Sequence, residues 1–171
     1  GQLNHHPVYC PNRIVNSILG VKGSLYRQKN IAFSFDCRLP EPLSLSGITL
    51  CSLFTNVLDN AYHAVQSGVP ELRRIDLSAY LVNGFLLLTC QNPIPPGSQP
   101  KLERRRKAED GTQHGLGLLI LQTIAEQHKG TMEIQTANDI FQIRLLLQLP
   151  APSTSPVPAS ILPQKEEATP V

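Results

Sequence analysis

With 171 residues, 41% of them hydrophobic, and a formal charge of +2, the chain has enough apolar material for one domain with a proper core and too little length for two. Near-neutrality excludes a general field for nucleic acid or a membrane surface, and no apolar run approaches the roughly 18 to 20 residues that would cross a bilayer. No basic segment followed by an apolar stretch marks a signal, so the chain reads as soluble, and nothing at Gly1 resembles a natural start.

Residues 1 to 11, with Pro7 and Pro11, read as an extended lead-in, and the pair His5-His6 stands directly before Pro7, off any stable helix. Asn12 can cap a helix that carries Ile14, Ile18, Val21 and Leu25 on one face and ends near Lys29-Asn30. Residues 31 to 38 alternate apolar and polar, as a strand does. Pro40 and Pro42 break the chain, Ser46 is an N-cap, and a helix follows from about 47 to 67, stopped by Ser67-Gly68-Val69-Pro70. Strands over about 74–82 and 85–91 flank Asn83-Gly84, the strongest short hairpin signal.

From Asn92 to His114 no periodicity is visible, and a structureless stretch of that length between strong elements reads as a lid. Its basic run, Lys101 to Lys107, is either a solvated charge run or a phosphate or partner contact; it is short and carries no interleaved aromatics, which argues against nucleic acid. A helix opening at His114-Gly115-Leu116-Gly117-Leu118 follows, with Leu116, Leu119, Ile120, Thr123 and Ile124 as its face and Gly130 as its C′ stop. Residues 132–135 and 140–149 finish as a strand pair. The Pro- and Ser-rich stretch from 151 to 171 cannot bury enough apolar surface to offset its ordering entropy and reads as a disordered tail. The order helix, strand, helix, two strands, helix, two strands suggests an α+β domain, one mixed sheet with helices packed on one face. Cys10, Cys37, Cys51 and Cys90 are widely spaced, without a Cys-x-x-Cys pair, and read as buried thiols of a reducing compartment, not as a metal site or disulfide framework.

The second helix carries the chemistry. At about 100° per residue, Leu50, Leu53, Phe54, Val57, Leu58, Ala61 and Val65 form a broad apolar face, and Asn56, Asn60 and His63 fall on a narrow polar stripe beside it. Amide carbonyl oxygens suit a hard cation such as Mg²⁺. Gly115-x-Gly117 at a helix start offers bare backbone amides and the positive end of a helix dipole, a ready anion site. No P-loop and no Gly-x-Gly-x-x-Gly after a strand is present. Together the seam, the glycine-flanked helix start and the basic loop would hold a magnesium nucleotide.

Asn56-Val57-Leu58-Asp59-Asn60-Ala61 resembles the N-box of the GHKL ATP-binding fold, and His114-Gly115-Leu116-Gly117-Leu118 with Ile124 to Thr131 resembles its G2 box and the elements after it. The element order matches over about residues 12 to 150. The lead-in Tyr9-Cys10-Pro11-Asn12-Arg13-Ile14-Val15-Asn16 and the Asn30-Ile31 strand start resemble in particular the peptide-sensing, AgrC-like branch of bacterial histidine kinases. The resemblance implies a two-layer α/β sandwich with a mixed, mostly antiparallel sheet, the Bergerat fold, over 12–150. Residues 1–11 then lead in from dimerisation and H-box segments outside this chain.

The same resemblance implies ATP and Mg²⁺ as ligands, with Asn60 as the metal ligand and His63 near the phosphates. Asn92, His114, Gly115, Leu116 and Gly117 would complete the nucleotide site. Asn56 stands where ATP-hydrolysing members carry a glutamate base; an amide cannot take a proton from water at neutral pH, which argues for transfer to a protein acceptor. Asn92 stands where the family usually has the adenine-binding Asp, and the lid lacks the aromatic F-box. The implied function is that of a sensor histidine kinase's catalytic domain, on the cytoplasmic side of a membrane-bound homodimer. It would phosphorylate a histidine on its own dimerisation helices, and the phosphate would pass to a response regulator. A degenerate interaction module and a serine kinase of the anti-sigma-factor type are the alternatives.

Overall fold

The computed structural model describes residues 8–98 and 115–151. The expected lid from 99 to 114, with its basic run and His114, the histidines at 5 and 6, and the tail from 152 lie outside the described residues.

Helix α1 spans Arg13–Gln28, strand β1 Ala32–Cys37, helix α2 Gly47–Val65, strand β2 Arg74–Val82 and strand β3 Phe85–Pro93. Helix α3, Leu116–Gln127, precedes strands β4, Thr131–Ala137, and β5, Ile140–Gln148. The described strands form one sheet in the order β1-β2-β3-β5-β4, in which β1 and β2 run parallel and every other neighbouring pair is antiparallel. This is the mixed, mostly antiparallel sheet expected.

Alternation sets the two faces of the sheet. Ile75, Leu77 and Ala79 of β2, Leu86, Leu88 and Cys90 of β3, and Phe141, Ile143, Leu145 and Leu147 of β5 are buried beneath the helices. The residues between them point the other way and stay partly open, with Thr89 opposite Arg144 and Arg144 opposite Glu133. The buried residues of α2 are Leu50, Leu53, Phe54, Val57, Leu58, Ala61 and Val65, the apolar face read from the sequence. Each large side chain buried this way is worth roughly 2 kcal/mol over leaving it in water, and such packing holds a helix that would be marginal alone.

Local chemistry ends each element. The Asn12 side chain accepts from Val15 N at 3.2 Å and donates to the Pro40 carbonyl at 3.2 Å, so one residue caps α1 and ties it to the turn after β1. Ser46 Oγ caps α2 by accepting from Thr49 N at 3.0 Å. Asn83 and Gly84, at φ 49° and 81°, make the expected β2–β3 hairpin, and Asn138 and Asp139, at φ 52° and 58°, make the β4–β5 one.

Three expectations need correction. The buried face of α1 is Val15, Leu19 and Tyr26, while Val21 is 70% exposed and Ile14 37%, so the true face lies one residue on from the one predicted. In α3 the buried residues are Leu121, Ile124 and Ala125, while Leu116 and Leu119 are each 53% exposed and Thr123 is also exposed. At the end of α3 the left-handed residue is Lys129, at φ 48°. Gly130 is the next one on, its N–H bonded to the Ala125 carbonyl at 2.8 Å. Glycine is required there for a different reason: a Cβ would lie 1.8 Å from the Leu146 carbonyl oxygen.

Candidate functional site

The site forms where α2 meets the start of α3. Asn56 bends its amide nitrogen back to the Ser52 carbonyl at 2.7 Å and to Ser52 Oγ at 3.3 Å. The donor end is thereby occupied, and Oδ1 faces Gly117, where an added Cβ would stand 3.2 Å from it. The two stretches singled out in the sequence, far apart in the chain, therefore meet. Glycine at 117 is what lets the helix start approach that closely.

One turn further along α2, Asn60 is half-buried, and its side chain makes no hydrogen bond to any described residue. A neutral amide oxygen held at the edge of the core is a donor suited to a hard cation. Among the described residues no three His, Cys, Asp or Glu side chains gather into a cation site, so a divalent ion here would rely on amide oxygen and on oxygens of its own ligands. His63 continues the stripe but is exposed, near the last turn, with Nδ1 3.1 Å from Gln66 Nε2 and its ring beside that of Tyr62.

Gly115 precedes α3 as its N-cap, and no side chain among the described residues caps the helix. The first-turn amides of this 12-residue helix thus have no side-chain partner among the described residues and carry the positive dipole end. Nothing lies within 4 Å of a Cβ built on Gly115, so the space beside that residue is open among the described residues. Leu116, expected beside the nucleotide, contributes its backbone to this turn while its side chain is exposed. The fit to a nucleotide phosphate rests on this turn, and the fit to Mg²⁺ on the Asn60 amide, which has no partner among the described residues.

Asn92 departs from its expected setting. It lies within β3, paired with Phe141 of β5, and is 1% exposed on the face that carries the helices. Its Nδ2 donates to the Pro93 carbonyl at 3.0 Å, which fixes the amide with its oxygen as the remaining acceptor.

Several contacts around the site were not legible in the sequence. Lys22 of α1 pairs with Asp59 of α2 at 2.5 Å, and Tyr26 OH donates to the Leu58 carbonyl at 2.9 Å. Burial pushes the Tyr26 phenol far above its ordinary value, which keeps it a neutral donor. The signal was present in Val15, Leu19, Lys22 and Tyr26, a helical stripe masked by the more hydrophobic one beside it. Cys10, Cys37 and Cys90 are buried while Cys51 is exposed, so three of the thiols match the expectation and one does not. Burial pushes Cys37 and Cys90 up to about 12.

Comparison with known proteins identifies the family. A family model described as GHKL domain matches residues 45–148, more than half of the chain. The chain is 29% identical over 142 residues to the sensor histidine kinase HprS of Escherichia coli, covering 78% of this chain and 30% of that protein. It is 31% identical over 141 residues to the nitrogen regulation protein NtrY of Azorhizobium caulinodans, covering 74% of this chain and 18% of that one. The chain thus spans less than a third of either curated relative. Among solved structures, the catalytic domain of histidine kinase ThkA superposes with a TM-score of 0.63 at 18% identity, covering 81% of this chain and 91% of that one. Acinetobacter baumannii histidine kinase AdeS superposes at 0.57 and 16% identity, covering 80% and 63%. At such identities these two establish the fold. The chain belongs to the GHKL family, as an ATP-binding domain homologous to those of sensor histidine kinases.

Proposed function

We propose that this domain, over about residues 12 to 150, binds ATP with Mg²⁺ between α2 and the start of α3. Its γ-phosphoryl group would then pass to a histidine on separate dimerisation helices of the same longer protein. The single observation that carries the reading is the approach of Gly117 to Asn56 Oδ1, because it brings the amide seam of α2 and the glycine-flanked start of α3 to one place.

Each residue has a chemical role in this reading. The amides from Gly115 to Gly117 receive phosphate oxygens, and the Asn60 carbonyl oxygen holds Mg²⁺, which when bound neutralises phosphate charge. Asn92 Oδ1 accepts from the adenine amino group, its own amide nitrogen being engaged by Pro93. His63 and His114 contribute near the phosphates. Asn56 shapes the seam and supplies no base. In the transfer the bond from the γ-phosphorus to the bridging oxygen breaks and a bond to the acceptor imidazole nitrogen forms, so the domain's work is positioning and charge neutralisation.

The longer protein is, on this reading, a membrane-bound homodimeric sensor with this domain in the cytoplasm, passing its phosphate to a response regulator. Residues 1–11 lead in from the acceptor helices, and 151–171 form a tail. Leu116 and Leu119, exposed beside the glycine turn, fit contact with an apolar helix such as the acceptor's.

Isothermal titration with a non-hydrolysable ATP analogue and Mg²⁺ tests the proposal. Saturable binding at or below millimolar nucleotide is expected, and none at that concentration would sink it. Incubation with the acceptor helices then separates acceptors: an acid-labile phosphoryl group is expected, and an acid-stable one would indicate a serine.

A further inference from the structure

The turn of α2 that carries Asn60 is gripped from the side away from the site. Stepping about 100° per residue, Asp59 and Tyr62 fall on a stripe facing α1 while Asn56 and Asn60 face α3. Lys22 Nζ meets Asp59 Oδ1 at 2.5 Å, with the lysine side chain 16% exposed and the aspartate 41%. One turn along α1, Tyr26 OH bonds the Leu58 carbonyl at 2.9 Å, and its ring stacks on Tyr62 with centroids 5.8 Å apart and planes 16° from parallel.

These contacts fall on residues 58, 59 and 62, immediately around Asn60. Apolar packing alone is non-directional and leaves small rotations of a helix cheap. A hydrogen-bonded ion pair and a buried phenol–carbonyl bond are directional, and they set the rotation and axial position of α2 in this turn. The Asn60 amide has no partner of its own among the described residues, so its aim is inherited from the backbone that carries it. An exposed ion pair would be worth little. Lys22, however, falls on the stripe of α1 that carries the buried Val15, Leu19 and Tyr26, its side chain is largely buried, and among the described residues its ammonium has one acidic partner, Asp59.

We infer that Lys22 is a positioning residue: by holding Asp59 it keeps Asn60 aimed at the divalent cation that accompanies the nucleotide. The inference rests on the reading of Asn60 as the cation's ligand.

The test is nucleotide binding to the full chain by titration calorimetry, using the non-hydrolysable ATP analogue with Mg²⁺ and again in EDTA, with thermal unfolding of each ligand-free protein alongside. Lys22→Met is expected to weaken binding about tenfold in Mg²⁺, as loss of a group supporting a metal ligand commonly does, and to change it less than about twofold in EDTA. Lys22→Arg is expected to recover most of the loss. If Lys22→Met weakens binding equally in both conditions, or in neither, the inference is overturned. Should Lys22→Met fail to fold, Asp59→Asn, which preserves volume, is held to the same Mg²⁺-selective loss. Wild-type protein that binds the analogue equally with and without Mg²⁺ would overturn the role of Asn60 itself. That outcome is distinguishable, because it needs no variant.

Discussion

Asn56 Oδ1 sits 3.2 Å from the position a Cβ would take on Gly117, so the side chain of one motif and the backbone of the other share a single contact surface. Gly117→Ala forces that oxygen, already constrained by the bond from Nδ2 to Ser52, to give way. Overpacking of this kind costs about 1 kcal/mol of stability, and the displaced helix start is expected to lose about tenfold in affinity for the ATP analogue. Gly115→Ala is the control: nothing lies within 4 Å of its Cβ, and stability is expected to stay within about 0.5 kcal/mol of wild type. Calorimetry and thermal unfolding of both variants check the contrast.

Asn60→Ala separates binding from folding. The Asn60 side chain has no hydrogen-bond partner among the described residues, and alanine is the better helix former. The melting temperature is therefore expected to hold or rise slightly, while the gain in analogue affinity on adding Mg²⁺ disappears. A melting temperature that falls by many degrees would show that the amide serves the fold.

Gly130→Ala is expected to be the most damaging glycine substitution in the described residues. Its Cβ would lie 1.8 Å from the Leu146 carbonyl oxygen and 3.0 Å from Leu147 Cα, all backbone of β5 that cannot step aside. A loss of more than about 3 kcal/mol, enough to leave a marginal domain largely unfolded, should show in circular dichroism and in urea unfolding.

Alkaline stability is set in part by thiols. Cys37 and Cys90 are raised from an ordinary value near 9 to about 12 by burial. The folded state therefore holds protons that the unfolded state has released. This contribution is complete below pH 9 and is lost as the pH rises from 9 toward 12. At pH 10.5 it amounts to roughly 2 kcal/mol per thiol. Urea midpoints at pH 8 and 10.5 should differ accordingly, and Cys90→Ala should reduce the difference. With a thiol reagent at pH 8, Cys51 should react at once and Cys10, Cys37 and Cys90 only on unfolding.

The sequence was legible where one physical signal dominated. The α2 core face was readable residue by residue because its period is unbroken, and Asn83-Gly84 was readable because few residue pairs tolerate two positive φ values. Helices α1 and α3 were placed correctly but turned by about one residue, because hydropathy ranks Val21 and Leu119 above a lysine stem and an alanine that in fact face inward. Asn92 was assigned to a loop because Pro93 follows it. A proline can close a strand, however, and β3 continues against β5 to that residue. The Lys22–Asp59 pair joins residues 37 apart, and no local pattern announces it.

One consequence follows from the parallel pairing of β1 with β2. Parallel neighbours cannot be joined by a tight turn, and the crossover between these two is α2 itself. The helix that carries the amide seam is therefore also the strap of the sheet's edge. To come loose it must pull on the loops that hold β1 in register, so its opening and the unpairing of β1 form one cooperative event, not two. Backbone amides of α2 and of the β1–β2 ladder should accordingly exchange with solvent deuterium at a common rate, and a ligand that slows one set should slow the other by the same factor.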